Sequence, residues 1–491
     1  MKKQISRRNF IKASTATGAG FLVTAGNFRK QARASALQDV AVAGIGVGGK
    51  GGSDIEHAGY YGKVVAICDV DKNTLNGQGN NFPDAKKFVD YRDVFEEMGD
   101  KFDACTINTP DHMHTIITAE AMKRGKHVYT QKPLTRTVYE ARYLTELARK
   151  NPNLCTQMGN QGSVEDMLRK TAAQYKAGVI GEIKEVHILT DRPIWPQGPD
   201  RDLTIEKFSK QIREDDPDIA DDEIAEKKEQ IEKDLNNLEW DLWLGVAPKR
   251  EYWPGIYHSF AWRGWWDFGT GSLGDMGLHN TNMIFKALQL KDPTSAVATS
   301  SGHDNNSYPA RAVFEIDFPG NDWRGPVKYY WYDAKQRPDL NLLKKYGFNE
   351  IGDNDTFAIG DKGAGCNGVF HEEGGKEIPW IPEDQTDFVI APIDEQGRGS
   401  DPRHKFEWFN AIWEGKPELC WSNFANHAGP LCESLLVGNL ALWVANQPDV
   451  QGKRIEWDSA NMSVKNLNEL NVPGVENLIK PVYQNGYEQL S

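Results

Sequence analysis

Apolar and polar positions change their period several times along this 491-residue chain, and each change marks an element. Val40-Ala41-Val42-Ala43 is a short apolar run with β-branched members, the pattern of a strand buried on both faces. Val64 to Cys68, Phe102 to Ile107, His127 to Thr130 and Leu154 to Gly159 repeat that pattern. Helical stretches lie between them: Ser53 to Ala58, one beginning at Asp90, Thr115 to Arg124, and Thr137 to Lys150. Gly62 and Gly125 close two of these helices, as glycine commonly does. Strand alternating with helix predicts a doubly wound parallel α/β sheet over residues 37–160. After a further helix, Val164 to Ala177, the rhythm changes. Ile183 to Leu189, Ala312 to Phe318 and Val327 to Tyr332 suit a mixed or antiparallel sheet, so residues 161–455 read as a second, α+β domain. Asp200 to Asn237 is a highly charged stretch that reads as a helical arm, solvated or touching another subunit. Asp401 to Phe409 starts a helix with Arg403 and His404 placed at the surface or, as the alternative, lining the pocket; Ala428 to Ala445 reads as a buried helix, and residues 456–491 as a tail packed on the body.

The first strand runs into Gly44-Ile45-Gly46-Val47-Gly48-Gly49, which fits G-x-G-x-x-G. In such a turn the first glycine permits the bend, the second lets backbone approach a pyrophosphate, and the third lets helix and strand pack closely. The phosphates then rest on free N–H groups at a helix N-terminus. The second strand ends on Asp69, twenty residues beyond Gly49, the distance expected of a carboxylate that accepts from an adenosine ribose hydroxyl. A carboxylate there repels a 2′-phosphate, which favours NAD over NADP, although Lys72 lies close by. Gly44, Gly46, Val47, Gly48, Gly49 and Asp69 are therefore candidate cofactor residues.

Ligands of doubly wound sheets bind beyond the carboxyl ends of the strands. Asn108, Thr109, Pro110, Asp111, His112 and His114 follow one such end, with His114 either against the nicotinamide half or bonded within its helix start. Gln131-Lys132-Pro133 follows the next, and places Lys132 to reach a substrate oxygen or to stand in a surface turn.

Composition narrows the class. A chain this long suits two or three domains, and 39% hydrophobic with 26% charged residues describes a globular protein. The first 35 residues carry eight basic side chains and no acid, so the rest is more acidic than the overall charge of −13. Nucleic acid and anionic membranes are poor partners for that surface. Ser6-Arg7-Arg8-Asn9-Phe10-Ile11-Lys12, the mildly apolar Ala13 to Val23 and small-residue sites up to Ala36 predict a twin-arginine signal peptide over residues 1–36, export to the periplasm, and no integral membrane segment once processed. Free nicotinamide cofactor is not expected there, so a cofactor would travel tightly bound inside the folded protein and be regenerated in place. The six cysteines show no zinc spacing; Cys68 and Cys105 read as buried, and a disulfide among the other four stays open.

A second constellation follows. Trp262-Arg263-Gly264-Trp265-Trp266 offers flat aromatic faces beside a guanidinium, so Trp262, Arg263 and Trp266 are candidate carbohydrate contacts, with core packing the alternative. Gly274-Asp275-Met276-Gly277-Leu278-His279 sets a carboxylate and an imidazole four residues apart, on one face if helical. Such a pair moves an alcohol proton, with the carboxylate orienting the ring. It lacks a third ligand at usable spacing, so no metal centre is expected.

Gly44 to Gly49, Asn108-Thr109-Pro110 with His114, Gln131-Lys132-Pro133 and Gly274 to His279, in this order, resemble the glucose–fructose oxidoreductase, inositol dehydrogenase and rhizopine catabolism (Gfo/Idh/MocA) family. The resemblance implies an N-terminal Rossmann domain and a C-terminal α/β domain whose open sheet often serves oligomerisation, hence a homodimer or homotetramer. It implies that Lys132 is the lysine of the family's E-K-P motif, with Gln131 in place of the glutamate, and that Asp275 and His279 are the acid/base pair. The leader and the tryptophan segment look like the exported branch of that family. The activity implied is hydride transfer between a bound nicotinamide cofactor and a secondary alcohol of a sugar, glycoside or cyclitol. The alternatives are glycoside cleavage or epimerisation through a transient ketone, and a silent carbohydrate-binding relative.

Overall fold

A computed structural model describes residues 40–198, 229–394 and 396–490. The expected signal peptide and most of the charged arm lie outside the described residues; of the arm, 229–235 is helical.

The first sheet has six parallel strands: β1 (Ala41–Ile45), β2 (Lys63–Cys68), β3 (Lys86–Phe88), β4 (Ala104–Ile107), β5 (His127–Thr130) and β6 (Thr156–Met158), in the order β3-β2-β1-β4-β5-β6. This is the Rossmann order, with its crossover point between β1 and β4. Successive side chains of a strand point to opposite faces, and here each face has its own core. Val42, Ile67 and Ala104 pack with Ile55 of the Lys50–Gly59 helix and with Trp408 and Phe409. Ala43, Ala66, Cys105 and Val128 face the other way, into a cluster with Phe95, Ile117 and Leu144 that continues into the second domain.

The second sheet holds β7 (Ile183–Leu189), β8 (Ser295–Ser300), β9 (Ala312–Phe318), β10 (Val327–Tyr332), β11 (Thr356–Gly360), β12 (Ala364–Cys366), β13 (Val369–His371), β14 (Ile455–Asp458) and β15 (Ser463–Val464). Their order is β13-β12-β11-β7-β10-β9-β8-β14-β15, with β7 and β10 the one parallel pair. Strand β14 straddles the boundary expected at residue 455 and makes the tail part of the sheet.

Two late helices join the domains. Gly429–Val444 is buried on nearly every side between the Val138–Lys150 helix and the second sheet, which explains its lack of any polar stripe. Ser400–Glu414 lies on the Lys50–Gly59 helix of the Rossmann domain. This overturns the surface placement of His404, which is fully buried with Nδ1 2.9 Å from the Tyr129 hydroxyl; Arg403 is partly exposed and donates to Asp166 at 2.9 Å, and neither lines the cavity at the carboxyl ends of the first sheet. The Lys72–Asn81 helix escapes the periodicity reading because it is rich in Asn and Gly; Asp71 starts it by accepting from the N–H groups of Asn73 and Thr74. All six cysteines are buried and free.

Candidate active site

The carboxyl ends of β1, β2, β4 and β5 open onto one cavity of about 750 Å³ that the second domain roofs. Its floor is the glycine turn. Gly49 adopts φ +50° and starts the Lys50–Gly59 helix, and nothing lies within 4 Å of where its side chain would be. The close approach expected of this third glycine belongs instead to Gly51, where a Cβ would collide with the Gly46 carbonyl oxygen. Gly49 thus supplies conformation and Gly51 supplies contact.

Asp69 holds the turn shut. Its Oδ2 accepts from the Val47 N–H at 2.8 Å and its Oδ1 from the Asp71 N–H at 2.9 Å. Burial pushes its carboxyl up to about 6 even so. Asp71, also at the cavity wall, meets His258 Nε2 at 3.1 Å. The side-chain oxygen and nitrogen of Asn108 and the hydroxyl of Thr109 are buried, border the cavity, and have no partner among the described residues. Unsatisfied polar atoms cost free energy unless a guest meets them. An open glycine turn, carboxylates at the end of β2 and unpaired amide groups at the end of β4 fit a dinucleotide.

His114 divides its two nitrogens between loops, with Nδ1 2.6 Å from the Pro133 carbonyl oxygen and Nε2 2.7 Å from that of Thr109. Burial pushes the ring down to about 4, so it is neutral and its one N–H serves one carbonyl at a time. It borders the cavity while tying together the loops after β4 and β5. His112, expected at the cofactor, turns away: its Nε2 meets the Trp243 carbonyl oxygen at 3.0 Å and its ring packs on Trp243 and Phe268.

The inner end of the cavity gathers Lys132, Arg263, Asp275 and His279. Lys132 Nζ is paired with Asp275 Oδ1, and Arg263 Nε lies 3.4 Å from the same oxygen. Burial alone would raise the Asp275 carboxyl, but the charges of Lys132 and Arg263 outweigh it and hold the group below the ordinary carboxylate range. Burial, with Lys132 adding to it, pushes His279 down to about 3 and keeps the ring neutral. The segment joining the pair is a π-helical turn, Leu273–Gly277, followed by an α-helical turn, Leu278–Asn280. Gly274 permits it, since a Cβ there would strike Thr270. Asp111 completes this end: it is buried, accepts from the Thr270 hydroxyl at 2.8 Å, and is pushed up to about 7 by burial.

The outer wall is aromatic. The Arg263 guanidinium lies 4.2 Å from the Trp262 ring centre and 4.7 Å from that of Phe260, and Trp195 meets Phe260 edge-on. Trp266 is not part of it. Its ring stacks on Tyr308 at 3.7 Å, its N–H donates to the Ser307 carbonyl, and it belongs to the core. The 3-10 turn Ala261–Gly264 breaks the local period, so neighbouring tryptophans in sequence face different surroundings. Tyr487, from the tail, reaches the rim beside Tyr91. Among the described residues no three His, Cys, Asp or Glu side chains gather to hold a metal.

Residues 39–158 match the family described as "Oxidoreductase family, NAD-binding Rossmann fold", and residues 224–317 match its "C-terminal alpha/beta domain". Two stretches of the chain thus match the two domains of the Gfo/Idh/MocA oxidoreductase family. A glycosyl hydrolase family 109 protein of Shewanella baltica is 31% identical to this chain over 210 residues, covering 36% of the chain and 44% of that protein. The chain thus spans under half the length of the curated relatives it matches. Among solved structures, the WlbA dehydrogenase from Bordetella pertussis, in complex with NADH and UDP-GlcNAcA, superposes at TM-score 0.51 with 14% identity, over 84% of this chain and 98% of that one. An oxidoreductase from Thermotoga maritima superposes at TM-score 0.50 with 12% identity, over 83% and 97%. At such identity the likeness is one of fold.

Proposed function

We propose that this chain is an NAD-dependent oxidoreductase acting on a secondary alcohol of a sugar, glycoside or cyclitol. One observation carries the reading: Lys132, Arg263, Asp275 and His279 line the same cavity as the glycine turn and Asp69. A nicotinamide dinucleotide bound there would supply the hydride acceptor. Gly46 to Gly49 and the unpaired Asn108 and Thr109 groups would hold it. Asp69 and Asp71 both oppose a 2′-phosphate, and Lys72, which would attract one, is paired with Glu239 at 2.6 Å, so the reading favours NAD over NADP.

The chain's own groups divide the proton chemistry. Asp275, anionic between two cations, orients the Lys132 ammonium toward the substrate oxygen. That ammonium stabilises negative charge as it develops on the oxygen. His279, neutral, accepts the hydroxyl proton. Since burial makes it a weak base, the transfer goes with hydride departure and not before it. Trp262 and Phe260, with Arg263 lying against both rings, offer a surface for the C–H face of a sugar ring.

A second reading has its own support in the curated relatives, which are called glycosyl hydrolase family 109 proteins. There the hydride would leave and return, and a glycoside would be cleaved by way of a ketone with no net redox. Two measurements test these readings. Protein purified without added nucleotide is denatured and its extract analysed; NAD(H) in the extract supports tight retention, and an extract without nucleotide from a protein that also fails to bind added NAD overturns the reading. A panel of nitrophenyl glycosides, free hexoses and myo-inositol then separates the two: absorbance rising at 340 nm marks net oxidation, and nitrophenol release without an acceptor marks cleavage.

The reading places the protein in the periplasm as a homo-oligomer, exported folded through the twin-arginine pathway with its cofactor inside. The leader at Arg7-Arg8 and the open second sheet support this. Mass spectrometry of the exported form, expected to begin between Ala34 and Gln38, and light scattering check both parts.

A further inference from the structure

Behind the catalytic end lies a set of charges, two of them with no access to solvent. Asp54, on the Lys50–Gly59 helix, and Lys405, on the Ser400–Glu414 helix, are both fully buried, and Lys405 Nζ donates to Asp54 Oδ1 at 2.7 Å. Lys50 Nζ stands 3.2 Å from the same oxygen and donates to Asp401 at 2.5 Å. Lys405 Nζ also lies 3.5 Å from the centre of the Tyr129 ring. The other oxygen of Asp54 accepts from Gln131 Nε2 at 2.5 Å, and Gln131 Oε1 accepts from the Lys132 N–H at 3.1 Å. Gly159 leaves room for this amide, since a Cβ there would come within 2.6 Å of it.

An amide satisfies both contacts at any pH, because Nε2 donates to a carboxylate while Oε1 accepts from a peptide N–H. A glutamate at 131 would set two carboxylates face to face, and since Lys405 and Lys50 outweigh burial and hold Asp54 below the ordinary carboxylate range, the group at 131 is the one that would have to keep a proton. Where the family pattern has an acid before the lysine, this chain has a glutamine, and an acid stands one hydrogen bond further out.

We propose that Asp54 is the positioning acid of this active site, setting Lys132 through the Gln131 amide, so that residues 54 and 131 form an acid–amide pair whose order is interchangeable. The inference rests on the reading that Lys132 meets the substrate oxygen. The experiment compares Gln131→Glu, Asp54→Asn, the double exchange and Lys132→Ala in the full chain. Lys50, His57, Tyr129, Lys132, Asp401 and Lys405 surround the pair in every variant. In Gln131→Glu the shared proton raises a carboxyl above its unfolded value, so the stabilisation belongs to low pH. The melting temperature should fall relative to the unaltered protein as pH rises from about 5 to about 8, and the double exchange should remove that slope.

On the substrate found with the panel, both single variants should lose at least about tenfold in kcat with KM changed less than about threefold, and the exchange should return kcat to within about threefold. A Gln131→Glu protein with no extra pH slope, or an exchange that folds but stays as slow as the singles, overturns the proposal. If Gln131→Glu does not fold, a double exchange that folds and melts no lower than Asp54→Asn supports it, and a double exchange that melts below Asp54→Asn overturns it. Unaltered turnover in Lys132→Ala removes the functional reading itself, whereas loss there with no effect of the exchange removes only the positioning role.

Discussion

Each of the five polar side chains at the inner end of the cavity answers to its neighbours more than to its own chemistry. Lys132 and Asp275 are 143 positions apart in sequence yet paired, and both were legible because each sits in a dense motif. Replacing Lys132 or His279 with alanine should lower turnover at least about 10²-fold, the scale of acid–base and electrostatic contributions, measured as kcat on the substrate found with the panel. Asp111 gives a second test. Its folded-state value, about 7, lies above the unfolded one near 3.8. The stabilisation therefore belongs to the protonated form, is complete below about pH 4, and is lost as pH climbs through about 7. Asp111→Asn, which keeps an acceptor for Thr270, should melt above the unaltered protein at pH 8 by the equivalent of up to about 4 kcal/mol and match it near pH 4. Sequence placed Asp111 near the cofactor but gave no sign of its burial. The Asp54 to Lys405 contact joins residues 351 positions apart, outside any motif, and no periodicity reports such a pair.

At the scale of elements, the strongest sequence signals were those where one pattern served one purpose. Strands β5, β7, β9 and β10 fall where alternation or an apolar run placed them. The misses are elements whose pattern serves two demands. The Leu273–Gly277 turn carries an extra residue per hydrogen-bonded loop, which bends the register between Asp275 and His279 and has no sequence periodicity of its own. The glycine turn does form part of the cavity wall, but the role of close packing falls to a different glycine, because G-x-G-x-x-G followed by two more glycines admits two alignments of function. Gly51→Ala tests this directly. Its Cβ would collide with the Gly46 carbonyl and push the turn into the cofactor space, so NAD affinity by calorimetry should fall at least about tenfold, roughly 1.4 kcal/mol, in a protein that still folds.

Across the whole molecule, the division into a Rossmann unit followed by a second sheet was readable from the change of rhythm near residue 160, but the return of the chain was not. A helix 15 residues long gives no hint in its own sequence of which distant helix it will cover. Trp408 donates its indole N–H to the Cys155 carbonyl at 3.0 Å, and one apolar cluster runs from Ile107 and Leu144 through Leu435 to Phe314. Two domains that share a core should unfold as one. Calorimetry should show a single transition with equal calorimetric and van't Hoff enthalpies, and two separated peaks would refute the shared core. The same seam has a bearing on traffic. Enzymes whose halves swing apart can release a spent guest by gaping, but here gaping would tear the interior open. Among the described lining residues Ile194 and Phe260 are exposed and Tyr487 is half-buried, so trimming these side chains, and not loosening a hinge, is the way to speed exchange.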